Sequence, residues 1–339
     1  RFILDLAAKL NWPVVADPRS NCRVAPESSH GATIVTCADV MMRHQPTAES
    51  LKPTVVIRVG DPPVSKVVNQ WLARCGAEQI AVTQQPTLID PDKIVTTHIV
   101  GSFNELFMEM SRGTQVKPES EWISEWKLRE RKARTALDSQ FSNSNQLTEP
   151  LSAVTVSESL EPGSNLVVSS SMPVRDLEWF APARDGVRVF SNRGVNGIDG
   201  VVSTAVGVAL SSKAPTALLI GDIAMLHDSN GLLNLTRRDV HMKFIIVDNE
   251  GGGIFSFLPQ AESLDGAQFE QLFGTPHSVD FESLAKTHGI PFAWVTTADD
   301  LRRELGNSGT SIIGVRTDRK LNVDHHNALY TAVAEALTR

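Results

Sequence analysis

The sequence predicts an α/β fold of two doubly wound parallel-sheet domains, and three observations predict it. Up to residue 100, short β-branched runs alternate with helical patterns, the rhythm of a parallel sheet with crossover helices. From residue 165 a second series of runs is apolar through most of its length, as strands covered on both faces are. Between them the character changes to a charged, Trp-bearing helix and a polar loop. These shifts place a first domain at 1–112, a helical linker at 113–150 and a second domain at 151–339.

The opening residues RFILDLAAKLNWP put Phe2, Leu6 and Leu10 on one helical face, with no capping residue before them and no initiator Met, so the chain reads as starting inside a helix and as the later part of a longer protein. The first domain then lacks its first strand. Strands are expected at PVVAD (13–17), PTVVIRV (53–59), EQIAVT (78–83) and KIVTTHIV (93–100). The linker is ESEWISEWKLRERKARTALDSQ followed by FSNSNQ. Six further strands are expected at NLVVSS (165–170), VRVFSN (187–192), TALLIGD (216–222), KFIIVDN (243–249), PFAWVT (291–296) and SIIGVRT (311–317), with a crossover helix from about Asp228 to Arg238.

Composition limits the function classes. The 339 residues carry a net charge of −7 with Lys and Arg scattered, which argues against a nucleic-acid partner. Three cysteines, Cys22, Cys37 and Cys75, form no C-x-x-C pair, so neither a disulfide framework nor a thiolate metal site is expected. No apolar run approaches the ~20 residues of a membrane helix. The expected compartment is the cytoplasm.

In open α/β sheets ligands gather at the carboxyl ends of the strands. Asp222 ends one predicted strand and Asn249 the next, and Gly251, Gly252 and Gly253 follow. Singly, an Asp and an Asn at such places more often cap the next element. Their spacing with a glycine turn instead suits Mg2+, which takes a carboxylate, an amide oxygen and a backbone carbonyl and leaves positions for phosphate and water. Upstream, SNRGVNGIDG sets glycines at 194, 197 and 200 before a helix with small residues Ser203, Ala205 and Gly207, a loose dinucleotide-type layout without the G-x-G pair. SSSMPVRD places Pro173 in a first helical turn, Ser170 or Ser171 near the cap and Arg175 one turn on, a setting that favours an anion. Arg193 in the neighbouring loop adds a second cation. His325 and His326 read as a surface helix start, and His227 and Asp228 as the start of the crossover helix.

The pattern G-D-x-A…N-x-G-G-x-I-F resembles the metal and diphosphate motif of the thiamin-diphosphate enzymes. With SNRGVNGIDG, SSSMPVRD and VDNEGGGIFSFLP it is similar to the 2-succinyl-5-enolpyruvyl-6-hydroxy-3-cyclohexene-1-carboxylate synthase family of menaquinone biosynthesis. The resemblance runs over nearly the whole chain, strongest from 165 to 260, and covers the central and diphosphate-binding domains of that family but not its pyrimidine-binding domain. It implies a transferase that decarboxylates 2-oxoglutarate on thiamin diphosphate and adds the resulting succinyl-semialdehyde carbanion to isochorismate, working as a homodimer or homotetramer. It implies Mg2+, or Mn2+ in its place, on Asp222, Asn249 and the Gly251 carbonyl. Asn192, Gly197, Gly221, Ile223, Ala224 and Gly252 would contact the cofactor, Ile198 would brace it, and Ile254 and Phe255 would line the pocket. Ser171, Arg175 and Arg193 would hold substrate carboxylates, and Lys66 matches a basic position of the central domain, followed here by Val67 where the family often has Arg. The glutamate that activates the cofactor belongs to the pyrimidine-binding domain of a partner chain, so this chain is expected to be inactive alone. Two other readings stay open: another thiamin-dependent 2-oxoacid decarboxylase or synthase, and a non-catalytic nucleotide-binding module.

Overall fold

The computed structural model describes every residue except Asn196, Thr236, Arg237 and Asp239. The chain divides into two compact units, Arg1–Asp138 with Pro182–Asp185 and Tyr330–Arg339, and Ser139–Ala181 with Gly186–Leu329.

The first unit holds two parallel sheets. One pairs β1 (Pro13–Val15) with β2 (Thr33–Val35), and the other has the order β3 (Val55–Val59), β4 (Glu78–Thr83), β5 (Thr97–Val100). The helix Phe2–Leu10 forms as its spacing requires: Leu6 is buried with Val82 and Phe107, and Phe2 and Leu10 pack beside them. Asn11, in the left-handed region, closes it. β5 starts at Thr97 rather than residue 93 because Asp90 turns the chain there, its carbonyl accepting from Lys93 N–H and its carboxylate from Val95 N–H. β2 was not expected; three residues, TIV, carry no readable period. The charged helix spans Glu121–Ser142 and takes in the first two residues expected in the polar loop. Lys66 stands exposed at the start of the helix Lys66–Arg74, whose N-cap Ser65 accepts from Val68 N–H and donates to the buried Asp39.

The second unit is a six-stranded parallel sheet of order β10 (Phe292–Val295), β11 (Ser311–Arg316), β9 (Met242–Asp248), β8 (Thr216–Gly221), β6 (Asn165–Val168), β7 (Arg188–Phe190). All six expected strands are present. Residues Leu218, Ile220, Phe244 and Ile246 of the central strands meet Val201, Val202, Ala205 and Val206 of the helix Val201–Ser212 in one core. Ser203 and Gly207 of that helix are exposed, so its inward face is aliphatic rather than the small-residue face expected. From β6 the chain passes to β7 on one side and then to β8 on the other. The strand order thus reverses between β6 and β8, the place where such sheets open a ligand crevice.

The crossover between β8 and β9 differs from expectation. A short α-helix starts at once, Asp222–His227, and a 3-10 segment, Ser229–Leu235, follows; the expected helix also ran over Thr236 and Arg237, outside the described residues. The tight path depends on Gly231, where a Cβ would come 2.9 Å from Ser203 N and from Val202 Cγ1. Among the described residues no helix is long and apolar enough to cross a membrane.

Candidate functional site

β6, β8 and β9 are parallel neighbours, so their carboxyl ends share one edge. Asp222 follows Gly221 at the end of β8, and Asn249 follows Asp248 at the end of β9. Asp222 is 2% exposed. Its Oδ1 accepts from Ile223 N–H (2.7 Å), and its Oδ2 accepts from Asn249 N–H (3.2 Å) and Gly251 N–H (2.8 Å). One carboxylate therefore fixes the start of the glycine turn.

Asn249 is buried and its amide is oriented. Nδ2 donates to Glu149 Oε1 at 2.8 Å, while Oδ1 is buried with no hydrogen-bond partner. A buried acceptor left unmade is costly unless a ligand satisfies it. Glu149 also accepts from Thr317 Oγ1 (3.1 Å). Burial, helped by the Asp176 charge, pushes its carboxyl up to about 7 against the opposing bonds from Asn249 and Thr317 and the His326 charge.

The turn needs its glycines. Gly251 has φ +141°, and a Cβ there would run into the Gly274 carbonyl oxygen; one at Gly252 would run into the Phe273 carbonyl oxygen. At Gly253 a Cβ would lie 2.5 Å from Asn249 Nδ2. The segment Glu270–Gly274 lies directly on the turn, with Gly252 N–H donating to Gly274 O at 2.8 Å.

The sequence alone did not show His277 or Asp248 as part of this site. His277 Nε2 lies 3.2 Å from Asp222 Oδ2 and 3.9 Å from Asp248 Oδ1, and ligand atoms of all three residues fall within 4.8 Å of one another. Val279 N–H donates to His277 Nδ1 at 3.0 Å, which leaves the proton of a neutral ring on Nε2, so His277 donates to Asp222. Burial and the Asp222 charge raise the Asp248 carboxyl, while the Glu250 N–H bond and His277 oppose them. A cation at this place would answer that concentration of negative charge. Asp222, the orphan Asn249 oxygen and the Gly251 carbonyl offer hard oxygen donors of the kind Mg2+ takes, so the chemistry of the residues present fits that ion. The Gly251 carbonyl also accepts from Gly253 N–H at 3.0 Å.

The other expected residues distribute around this edge. Ser170 donates to the Asn192 carbonyl (2.7 Å), and Asn192 Nδ2 donates to Thr204 Oγ1 (3.1 Å), which ties the loops after β6 and β7 together. Ser171 holds the N-cap position of the helix Met172–Phe180 at φ 74°, but its side chain makes no capping bond. Arg175 Nη1 donates to Ser171 O at 2.5 Å. Arg193 and Gly197 are exposed, Ile223 is half-buried, and Ala224 is buried in the core. Ile198 packs half-buried against that core. Ile254 and Phe255 are half-buried, the Phe255 ring 5.3 Å from that of Phe273. Lys66 belongs to the other compact unit.

Two expectations need correction. His326 is not on a surface: it is fully buried, with Nε2 2.7 Å from Asp176 Oδ1, whereas His325 is exposed. The N-terminus of the helix Val201–Ser212 is closed to a phosphate, because Asp228 accepts from Ser203 N–H (2.6 Å) and Ser203 Oγ (3.0 Å) and already supplies the anion there. That removes the main support for a dinucleotide-type module.

The family described as "Middle domain of thiamine pyrophosphate" matches residues 1–168, and "Thiamine pyrophosphate enzyme, C-terminal TPP binding domain" matches 177–311. The chain belongs to the thiamine pyrophosphate enzymes. The 2-succinyl-5-enolpyruvyl-6-hydroxy-3-cyclohexene-1-carboxylate synthase of Myxococcus xanthus is 37% identical over 340 residues, a match covering 99% of this chain and 57% of that protein. The synthase of the same name from Bacillus velezensis is 36% identical (99% and 58% covered), and that of Chloroflexus aurantiacus 35% (100% and 58%). The chain thus spans little more than half the length of these curated relatives. A solved benzoylformate decarboxylase from Polynucleobacter necessarius superposes with a TM-score of 0.62 at 17% identity, over 94% of this chain and 59% of that one, which shows the shared fold. Within this thiamine pyrophosphate enzyme, the turn at Asn249–Gly253 lies inside the matched TPP binding domain.

Proposed function

We propose that this chain carries the metal and diphosphate grip of a thiamin-diphosphate-dependent carboligase of menaquinone biosynthesis, which joins the four-carbon remnant of 2-oxoglutarate to isochorismate. The observation that carries the reading is the buried, unpartnered Asn249 Oδ1 beside Asp222 in a turn only glycines can follow. The relatives at 35–37% identity support the choice of substrates.

Asp222, Asn249 and the Gly251 carbonyl hold Mg2+, and Mn2+ is the natural substitute for the same oxygen donors. Thiamin diphosphate supplies, when bound, the electron sink for loss of CO2 and for the new carbon–carbon bond. The chain's own residues bind and orient. Glu149 fixes the Asn249 amide so that its oxygen, not its NH2, is free for the metal. Asn192, Gly197, Gly221, Ile223, Ala224 and Gly252 border the cofactor, and Ile198, Ile254 and Phe255 give it apolar walls. Ser171, Arg175 and Arg193 receive carboxylates of dianionic substrates. The working enzyme is a cytoplasmic homo-oligomer in which a pyrimidine-binding domain completes the cleft.

Calorimetry of thiamin diphosphate binding tests the reading. Binding should require Mg2+ and disappear in Asp222→Ala while the variant keeps its fold by circular dichroism. Equal binding with excess chelator would remove the metal assignment.

A further inference from the structure

Next to Arg175 on its helix lies a buried Asp–His pair. Asp176, the next residue along, is 1% exposed and His326 0%. His326 reaches in from the helix Arg319–Thr338, with Nε2 2.7 Å from Asp176 Oδ1 and Nδ1 2.8 Å from the Asn322 carbonyl. A carbonyl oxygen only accepts, so Nδ1 carries a proton. The second proton lies between Nε2 and Asp176.

The ring is held by aromatic side chains from two segments. Trp179 and Phe180, with centroids at 6.1 and 5.4 Å, belong to the helix Met172–Phe180. Phe257, at 4.9 Å and nearly perpendicular, ends the 3-10 turn Gly253–Phe257 that follows the metal-site glycines. The same helix begins with Ser171 and Arg175, and the same turn bears Ile254 and Phe255. One imidazole therefore touches both segments that border the cleft.

We propose that His326 is a positioning residue, a buried imidazolium that pins the helix Met172–Phe180 to the turn Gly253–Phe257 and so fixes Ser171 and Arg175 relative to Ile254 and Phe255. The inference rests on the reading of Ser171 and Arg175 as carboxylate-binding groups. An aliphatic side chain would fill the space among three aromatic rings; an ion pair adds a fixed direction, since it is satisfied in one geometry only. Asp176 faces the ring from the helix Met172–Phe180, Glu149 acts on it from the helix Glu149–Ser159, and the Asn322 carbonyl belongs to its own helix. Burial alone would lower the His326 pKa, but the Asp176 charge and hydrogen bond, the Asn322 bond and the Glu149 charge outweigh it and raise it.

Nitrogen-15 NMR of the histidine rings in the 339-residue chain reads the charge directly, with His326→Gln used for assignment. Both His326 nitrogens should still be protonated at pH 7, above the ordinary imidazole midpoint of about 6.5; a bare Nε2 there would overturn the proposal. Hydrogen exchange of His326→Gln and of Asp176→Asn, which keeps the shape and an acceptor, reads the positioning. Amides of 172–180 and 253–257 should exchange about tenfold faster or more while those of β8 and β9 stay near wild type, the mark of local rather than global opening. Unchanged exchange in both segments, or an equal rise across the whole unit, would overturn it. Arg175→Ala separates the two readings. If, in the enzyme completed by a pyrimidine-binding domain, it leaves substrate use intact while the exchange pattern holds, the carboxylate assignment falls and the pin between the two segments stands.

Discussion

Asn249 shows how one residue can be read in part from sequence and completed only by its partners. Its place after a strand and before three glycines pointed to a ligand role, but the amide could have faced either way. Glu149, a hundred positions earlier in the chain, decides the orientation. His277 and the Asp176–His326 pair were illegible for the same reason: each meets its partner across a long stretch of sequence, and no local period encodes such meetings. Arg175 and Arg193 were picked from their places after strand ends, and their role is open to test. In the enzyme completed by a pyrimidine-binding domain, each Arg→Ala change should weaken use of 2-oxoglutarate or isochorismate by about 1.5–3 kcal/mol, the scale of a charged hydrogen bond. Unchanged kcat/KM for both substrates in both variants would return these arginines to structural roles. The raised pKa of His326 also sets a pH dependence. A group whose pKa is higher folded than unfolded stabilises fully below its unfolded value, about 6.5, and loses that contribution as pH rises through the folded value. The thermal midpoint of wild type, taken relative to the Asp176→Asn/His326→Gln double variant from which both titrating groups are gone, should therefore be higher at pH 6 than at pH 9. A gap that widens with pH would contradict the assigned charge.

At the scale of elements, the ten strands that were expected all form, because each is a β-branched or aliphatic run that a covered parallel sheet requires. The strand that escaped, Thr33–Val35, is too short to show alternation. The crossover helix was misplaced because its pattern began to look helical after Asp228, whereas Asp222 starts a helical turn directly at the strand end, with its carboxylate bonded to Ile223 N–H. The glycine turn was legible as a turn; its reason was not. The run Glu270–Gly274 sits on it, and carbonyls of Phe273 and Gly274 occupy the space that side chains at Gly252 and Gly251 would need. Gly251→Ala should consequently do two things. It should cost about 1–3 kcal/mol or more in urea unfolding, the range for a residue forced into a glycine-only conformation, and it should abolish Mg2+-dependent cofactor binding by moving the turn off Asp222. Wild-type stability together with wild-type affinity would mean that the turn is not fixed by that contact.

At the scale of the molecule, the chain spans 57% of the Myxococcus relative, and by resemblance the acid that activates the cofactor belongs to a pyrimidine-binding domain. Glu149 and Glu250, both near the turn, could be asked to replace it. Glu149 is buried and engaged by Asn249 and Thr317. Glu250 is exposed, held at φ 59° and accepting from Ser278 N–H at 3.3 Å. The first already orients the Asn249 amide, and the second is exposed to solvent. Grip and activation should therefore separate. The 339-residue chain should bind thiamin diphosphate weakly and only with Mg2+, because the diphosphate and metal contacts proposed above lie within it, yet release CO2 from 2-oxoglutarate in the presence of isochorismate at no more than the background rate. Supplying a pyrimidine-binding domain in trans, or fusing one before Arg1, should restore product formation, and Asp222→Ala should remove it again. Robust turnover by the chain alone would mean that an acid within it does the activating, and a Glu250→Gln variant that then loses activity would identify which one.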